Sequence, residues 1–152
     1  MTRSDLGRAL ARILLGSVLL AAGLPKLLDP TAFARALAGW QMLPGWAIGP
    51  AAVLLPWTEA VVGLALWTLP ALRRGALLLG GAMPAVFTAA LLVNRLRGIR
   101  APCGCFSLAP DAPPAGLAHV ALNLALIALA LFAAGAARNP EGGGQRSEGA
   151  AL

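Results

Sequence analysis

Two cysteines, Cys103 and Cys105, are the only ones in the chain, and a single glycine separates them. Residues two apart in an extended or turned backbone have Cα atoms roughly 5.5 to 7 Å apart, overlapping the roughly 4.4 to 6.8 Å window of a disulfide. The pair can therefore close on itself, with Gly104 relaxing the backbone of so small a ring. A strained, exposed disulfide is reduced more readily than one that staples a fold, so the spacing suits electron exchange better than structure. Arg95, Arg97 and Arg100 stand just upstream, and nearby cations favour the thiolate that carries out exchange. Two inert cysteines are the plain alternative. Metal chemistry is poorly served: structural zinc takes four ligands, while the chain offers two Cys and one His. Two thiolates alone would suit copper(I), but no metal site is expected.

Four further polar residues stand in apolar surroundings. Glu59 lies well inside a long apolar run, where a carboxylate costs roughly 2.5 kcal/mol or more unless paired or protonated and so marks a candidate site. Lys26, near the end of an earlier run, is its expected partner. Counting rise along each helix places Lys26 ~6 Å deep and Glu59 ~13 to 18 Å deep, a gap that a long lysine partly bridges. A structural ion pair and a part in proton transfer are equally consistent with this placement. His119 and Asn123 are four apart and share a helical face, with His119 in the first turn beside the cysteine segment. His119 is placed either to take a proton from a thiol or to sit as a hydrogen-bonded interfacial residue.

The elements that must hold these residues follow from composition. Of 152 residues, 59% are hydrophobic and 12% charged, with a mean hydropathy of +0.77, whereas an average soluble domain is roughly 25% charged. A water-soluble globule of this size cannot hide so much apolar surface. Apolar windows of about 20 residues, long enough to cross hydrocarbon, fall near 8–28, 47–68, 75–94 and 115–137. The first reads as an uncleaved span rather than a signal peptide, because apolar residues continue past the possible cleavage site through Leu24, Leu27 and Leu28. Asp29 before Pro30 reads as an N-cap and first helical residue. Phe33, Leu37 and Trp40 then recur at i, i+4, i+7, giving a short amphipathic interfacial helix. Ala118, Ala121, Ala125 and Ala128 form a small-residue seam on the last span, nearly opposite His119 and Asn123. Trp40, Trp46 and Trp67 read as interfacial anchors, and Pro50, Pro56 and Pro84 as bends or helix ends. The cysteine segment, rich in Arg and Pro, cannot continue a helix. After Arg138 the chain is polar and Gly-rich, and disorder is expected.

The predicted fold is therefore all-α: a polytopic four-helix membrane bundle over 1–137, with a short interfacial helix after the first span and a disordered tail over 138–152. The net charge of +6 comes from residues flanking the spans and forms no patch, so nucleic acid is not an expected partner. With the N-terminus inside, 7 basic residues (Arg3, Arg8, Arg12, Arg73, Arg74, Arg138, Arg146) face the cytoplasm and 5 (Lys26, Arg35, Arg95, Arg97, Arg100) face outward, as the positive-inside rule prefers. Both termini are then cytoplasmic. The same orientation puts the cysteine pair on the side where thiols become oxidised, across a cytoplasmic (inner) membrane.

Three pieces in order, G-L-P-K-L-L-D-P (23–30), P-W-T-E-A-V-V-G (56–63) and R-G-I-R-A-P-C-G-C-F-S (97–107), followed by the helix bearing His119 and Asn123, resemble the MauE branch of the DoxX-like membrane proteins. Lys26, Glu59, Cys103, Cys105 and Asn123 match the family pattern, while Ser107 stands where the family usually has Gly. The resemblance implies a four-helix membrane bundle that serves the maturation of methylamine dehydrogenase, whose small subunit is rich in disulfides, beside a thioredoxin-like partner. Together with the residues it leads to an expected function in thiol-disulfide exchange with a thioredoxin-like or disulfide-containing extracytoplasmic protein. Cys103, Cys105 and His119 are the expected reactive residues, and Arg97, Arg100, Lys26, Glu59 and Asn123 the supporting ones. One dithiol cannot by itself pass electrons on to the membrane, so a bound quinone or a second protein is the expected next carrier. The alternative is a noncatalytic membrane subunit that anchors or stabilises a redox complex. A transporter reading rests on Glu59 alone.

Overall fold

In the computed structural model, residues 3–99, 104, 108–109, 114 and 116–135 are described. Helix α1 spans Arg3–Leu28, α2 Pro30–Gly39, α3 Gly45–Thr68, α4 Arg73–Leu96 and α5 Leu117–Ala134, with a single 3-10 turn at Pro70–Leu72 before α4. There is no β-strand among the described residues. At about 1.5 Å per residue, α1, α3, α4 and α5 are each long enough, and apolar enough, to cross a bilayer. The expected tail, 138–152, lies outside the described residues.

The four long helices run up, down, up and down. Helix α1 packs chiefly on α3 and α4 on α5, while α5 returns to α1 and α3 touches α4. The principal neighbours are thus antiparallel, as in an up-and-down bundle. The core is a layer of small and branched residues, Leu15, Leu19, Val62, Leu66, Leu77 and Leu126 among them. The outer surface is apolar too: Leu54, Trp57, Val61 and Leu64 of α3 and Leu131 and Phe132 of α5 are exposed. An amphipathic soluble helix would place charges there. Ser17, Thr58 and Thr68 return their hydroxyls to the carbonyls of Ile13, Leu54 and Leu64 four residues back, satisfying them without water. The chain is a multi-pass membrane protein.

Glycines set the closest approach, between α1 and α3. A Cβ on Gly16 would lie 2.9 Å from the Gly63 carbonyl oxygen, and one on Gly63 would lie 2.9 Å from that of Gly16 and 2.8 Å from Leu20. The backbones therefore nearly touch, and Trp67 crosses the contact to donate its indole N–H to the Ile13 carbonyl at 3.1 Å. The alanine seam expected on α5 does not perform this task. Ala118, Ala121, Ala125 and Ala128 are exposed, and α5 buries Asn123, Leu126, Ala130 and Ala133 instead. Small size marks a possible contact, but the polar Asn123 can leave lipid only by turning inward.

Asp29 caps α2 as expected, accepting from the Ala32 N–H at 2.8 Å, with Pro30 in the first turn. The Thr31 hydroxyl, and then this backbone N–H, hold the Asp29 carboxyl below the usual carboxylate range. The apolar face of α2 does not lie open to lipid: Phe33 and Leu37 pack on Ala52, with Ile48, Ala51 and Leu55 around them. Trp40 is correspondingly buried and meets Phe87 edge-on, at 5.8 Å and 88°. Trp46 and Trp67 remain exposed. Pro50, Pro56 and Pro84 all lie inside helices, as does Pro25. Helix α4 ends where Gly98 takes φ +73°, with Gly98 donating to the Arg95 carbonyl and Ile99 to that of Asn94, the paired bonds of a glycine-terminated helix.

The glycine contact predicts a contrast within one residue type. Gly63→Ala should lower stability in detergent unfolding by about 1 to 3 kcal/mol through overpacking. Gly75→Ala, where an added Cβ meets nothing, should be neutral or gain up to ~1 kcal/mol from helix propensity. Equal effects of the two would mean that α1 and α3 do not approach as described.

Candidate functional site

Lys26, the chain's single lysine, and Glu59 meet in the bundle interior. The ammonium Nζ donates to both carboxylate oxygens, at 2.6 and 2.7 Å, with Lys26 2% and Glu59 4% exposed. The contact is closer than the depth difference along the helices suggested, and the reason is directional. Side chains tilt toward the N-terminus of their own helix. For α1 that direction runs into the bundle, and for the antiparallel α3 it runs out toward the end where Lys26 sits, so the two side chains converge. Gly23 clears the way: a Cβ there would lie 3.2 Å from that of Glu59 and 3.3 Å from the Pro56 carbonyl oxygen. Two rings complete the cation's surroundings, with Nζ 5.1 Å from the centroid of Phe33 and 5.5 Å from that of Phe87, within the range of cation–π attraction.

Beside the pair lies a cavity of about 40 Å³, bounded by α1, α3, α4 and α5. Asn123 projects from α5 onto its wall, buried, and its Nδ2 has no hydrogen-bond partner among the described residues. The structure thus brings Lys26, Glu59 and Asn123 together at one place. His119 stands one turn earlier on the same face of α5, half-buried, where its Nδ1 accepts the Gly116 N–H at 3.3 Å. A neutral ring with Nδ1 accepting carries its proton on Nε2, so in this arrangement His119 offers a donor.

The middle of the C-G-C motif is also placed. Gly104 is buried with φ +68°, and a Cβ there would lie 3.3 Å from that of Ala36 and 3.6 Å from the Phe33 ring. The left-handed backbone and the close approach to α2 both call for glycine. Phe33 therefore has Gly104 on one side and the Lys26 ammonium on another. Cys103, Cys105 and Arg100 lie outside the described residues. Arg97 is exposed and donates to the Gln41 carbonyl at 3.2 Å, which ties the end of α4 to the turn after α2.

Sequence reasoning missed two buried polar residues of α4. Thr88 gives its hydroxyl to the Pro84 carbonyl, and Asn94 has an Oδ1 with no partner among the described residues. Both sit at four-residue multiples or close to them along the line Ala76, Gly80, Pro84, Thr88, Leu91, a spacing visible in the sequence. Phe33 and Phe87 were also missed as neighbours of the lysine, because nothing in their spacing connects α2 or α4 with α1.

Breaking a buried pair strands a charge, at about 3 to 5 kcal/mol. Lys26→Met and Glu59→Gln should each lower stability by roughly that amount, and the double variant should cost less than their sum, since neither charge is left alone. A double-mutant cycle in detergent unfolding measures this, and strict additivity would refute the coupling.

The family described as Methylamine utilisation protein MauE matches residues 5–136 of this chain. Methylamine utilization protein MauE of Methylophilus methylotrophus is 35% identical over 125 residues, covering 82% of this chain and 65% of that protein. The protein of the same name from Paracoccus denitrificans is 38% identical over 121 residues, covering 79% and 64%. The chain thus spans just under two thirds of the length of these relatives. No solved structure matches it. The matched span runs from the start of α1 to the end of α5 and includes Lys26, Glu59, the C-G-C motif and Asn123, and the chain belongs to the MauE family.

Proposed function

We propose that this protein is a membrane accessory factor of a methylamine-utilisation system that exchanges disulfides with an extracytoplasmic partner through Cys103 and Cys105. The observation that carries the reading is the seating of Gly104: the motif's centre is buried against α2 with a left-handed backbone, so the residue between the two cysteines is anchored to the bundle. The names of the relatives support the pathway.

The exchange balances without a further reagent. A thiolate of one protein attacks a sulfur of the other's disulfide, forming a mixed disulfide and releasing one thiolate. The attacker's second cysteine then displaces the remaining sulfur, so one dithiol becomes a disulfide while one disulfide becomes a dithiol. Arg97 and Arg100 supply positive charge near the thiolate in sequence, and the Nε2 proton of His119 is a donor for it. The partner class is a thioredoxin-like or disulfide-containing protein. The chain sits in a cytoplasmic membrane with both termini inside, as the 7 to 5 division of basic residues favours, and with the cysteine segment outside.

Removing the resolving cysteine should freeze the intermediate. Cys105→Ser is expected to trap partner on Cys103, which lies nearer the arginines, while Cys103→Ser traps little, read as a reductant-sensitive adduct on a nonreducing gel. If neither variant gives an adduct in cells while partner oxidation proceeds normally, the protein is no exchanger, and a noncatalytic anchoring subunit takes its place.

Orientation has its own check. A membrane-impermeant maleimide should label reduced Cys103 and Cys105 in intact spheroplasts. Labelling only after lysis would reverse the topology.

A further inference from the structure

We infer that the cavity between Lys26, Glu59 and Asn123 is a binding site for water, which joins the ion pair to α5. The polar groups on its wall define the ligand. Asn123 is 8% exposed, and its Nδ2 donor has no acceptor among the described residues. Each Glu59 oxygen takes one N–H of Lys26 and keeps a second lone pair. A ligand that answers both must accept one hydrogen bond and donate another. Water does both, whichever way the Asn123 amide is turned.

The size of the cavity suits water. A buried water needs about 10 to 15 Å³ of accessible space, whereas an apolar cavity that admits benzene measures about 150 Å³. The cavity here is about 40 Å³, room for one to about three waters. Cavities that stay dry are apolar, and this one, though mostly lined by apolar side chains, carries a carboxylate, an ammonium and an amide on its wall. The water completes a hydrogen-bonded line from Lys26 of α1 through Glu59 of α3 to Asn123 of α5, past Pro84 and Phe87 of α4. The inference does not rest on disulfide exchange.

The test uses the full chain in lipid nanodiscs with asparagine selectively labelled. The Asn123 side-chain amide protons should show a rotating-frame Overhauser cross-peak to water, of the sign that distinguishes a bound water from proton exchange. Contact of these protons with protein alone, or with lipid protons in place of water, would overturn the inference. Infrared spectra in normal and oxygen-18 water give a second readout that holds if assignment fails. A buried-water stretching band that moves with the isotope should be present in the wild type and lost in Asn123→Leu. Its absence from the wild type, or its persistence unchanged in the folded variant, counts against the site.

Discussion

A charge in hydrocarbon must be answered at contact distance, and the bundle is arranged around that requirement. The Lys26 ammonium has both Glu59 oxygens within 2.7 Å, and the glycines at 16, 23 and 63 permit the helix approach that makes the contact possible. Hydrophobic burial cannot choose partners here, because lipid tails are as apolar as the side chains of the core. Close backbone packing and the ion pair supply the selectivity instead. They fix α1 and α3 both laterally and in register, since sliding either helix by one turn, about 5.4 Å, would part the charges.

The short helix α2 turns this clasp into a shared structure. Capped by Asp29 and folded onto α3, it places Phe33 between the lysine and Gly104. The polar interior and the centre of the C-G-C motif thus share one side chain. Edge-on packing of Trp40 against Phe87 continues the contact to α4, whose own ring faces the same ammonium. Two rings, from α2 and α4, thus stand near the cation that Glu59 neutralises.

Much of this was legible in the sequence because bilayer physics leaves few choices. Four runs of apolar residues had to be helices, and the observed spans differ from the expected ones chiefly at their ends. Asp29–Pro30 announced α2, and Glu59 announced a buried site with Lys26 as its partner. Three features were not legible. The alanine stripe of α5 reads as a packing face, but the helix is rotated so that Asn123 leaves lipid. Trp40 reads as an anchor at the membrane surface, yet it is buried at the C-terminal end of α2 against Phe87 of α4, since helical period gives a face and not its neighbour. The depth difference between Lys26 and Glu59 ignored side-chain direction, which in antiparallel helices closes the gap. The cysteine pair was legible as chemistry only.

The placement of the two charges also imposes an order on biogenesis. Lys26 lies two residues from the end of α1, where a long side chain can reach the headgroups while it has no partner. Glu59 is the fifteenth residue of the 24 in α3 and has no such refuge. Thirty-three residues separate them, about 2 to 7 s of synthesis at roughly 5 to 20 residues per second. The residue that can wait at the surface is made first, and the one that cannot enters the bilayer with its counterion already there.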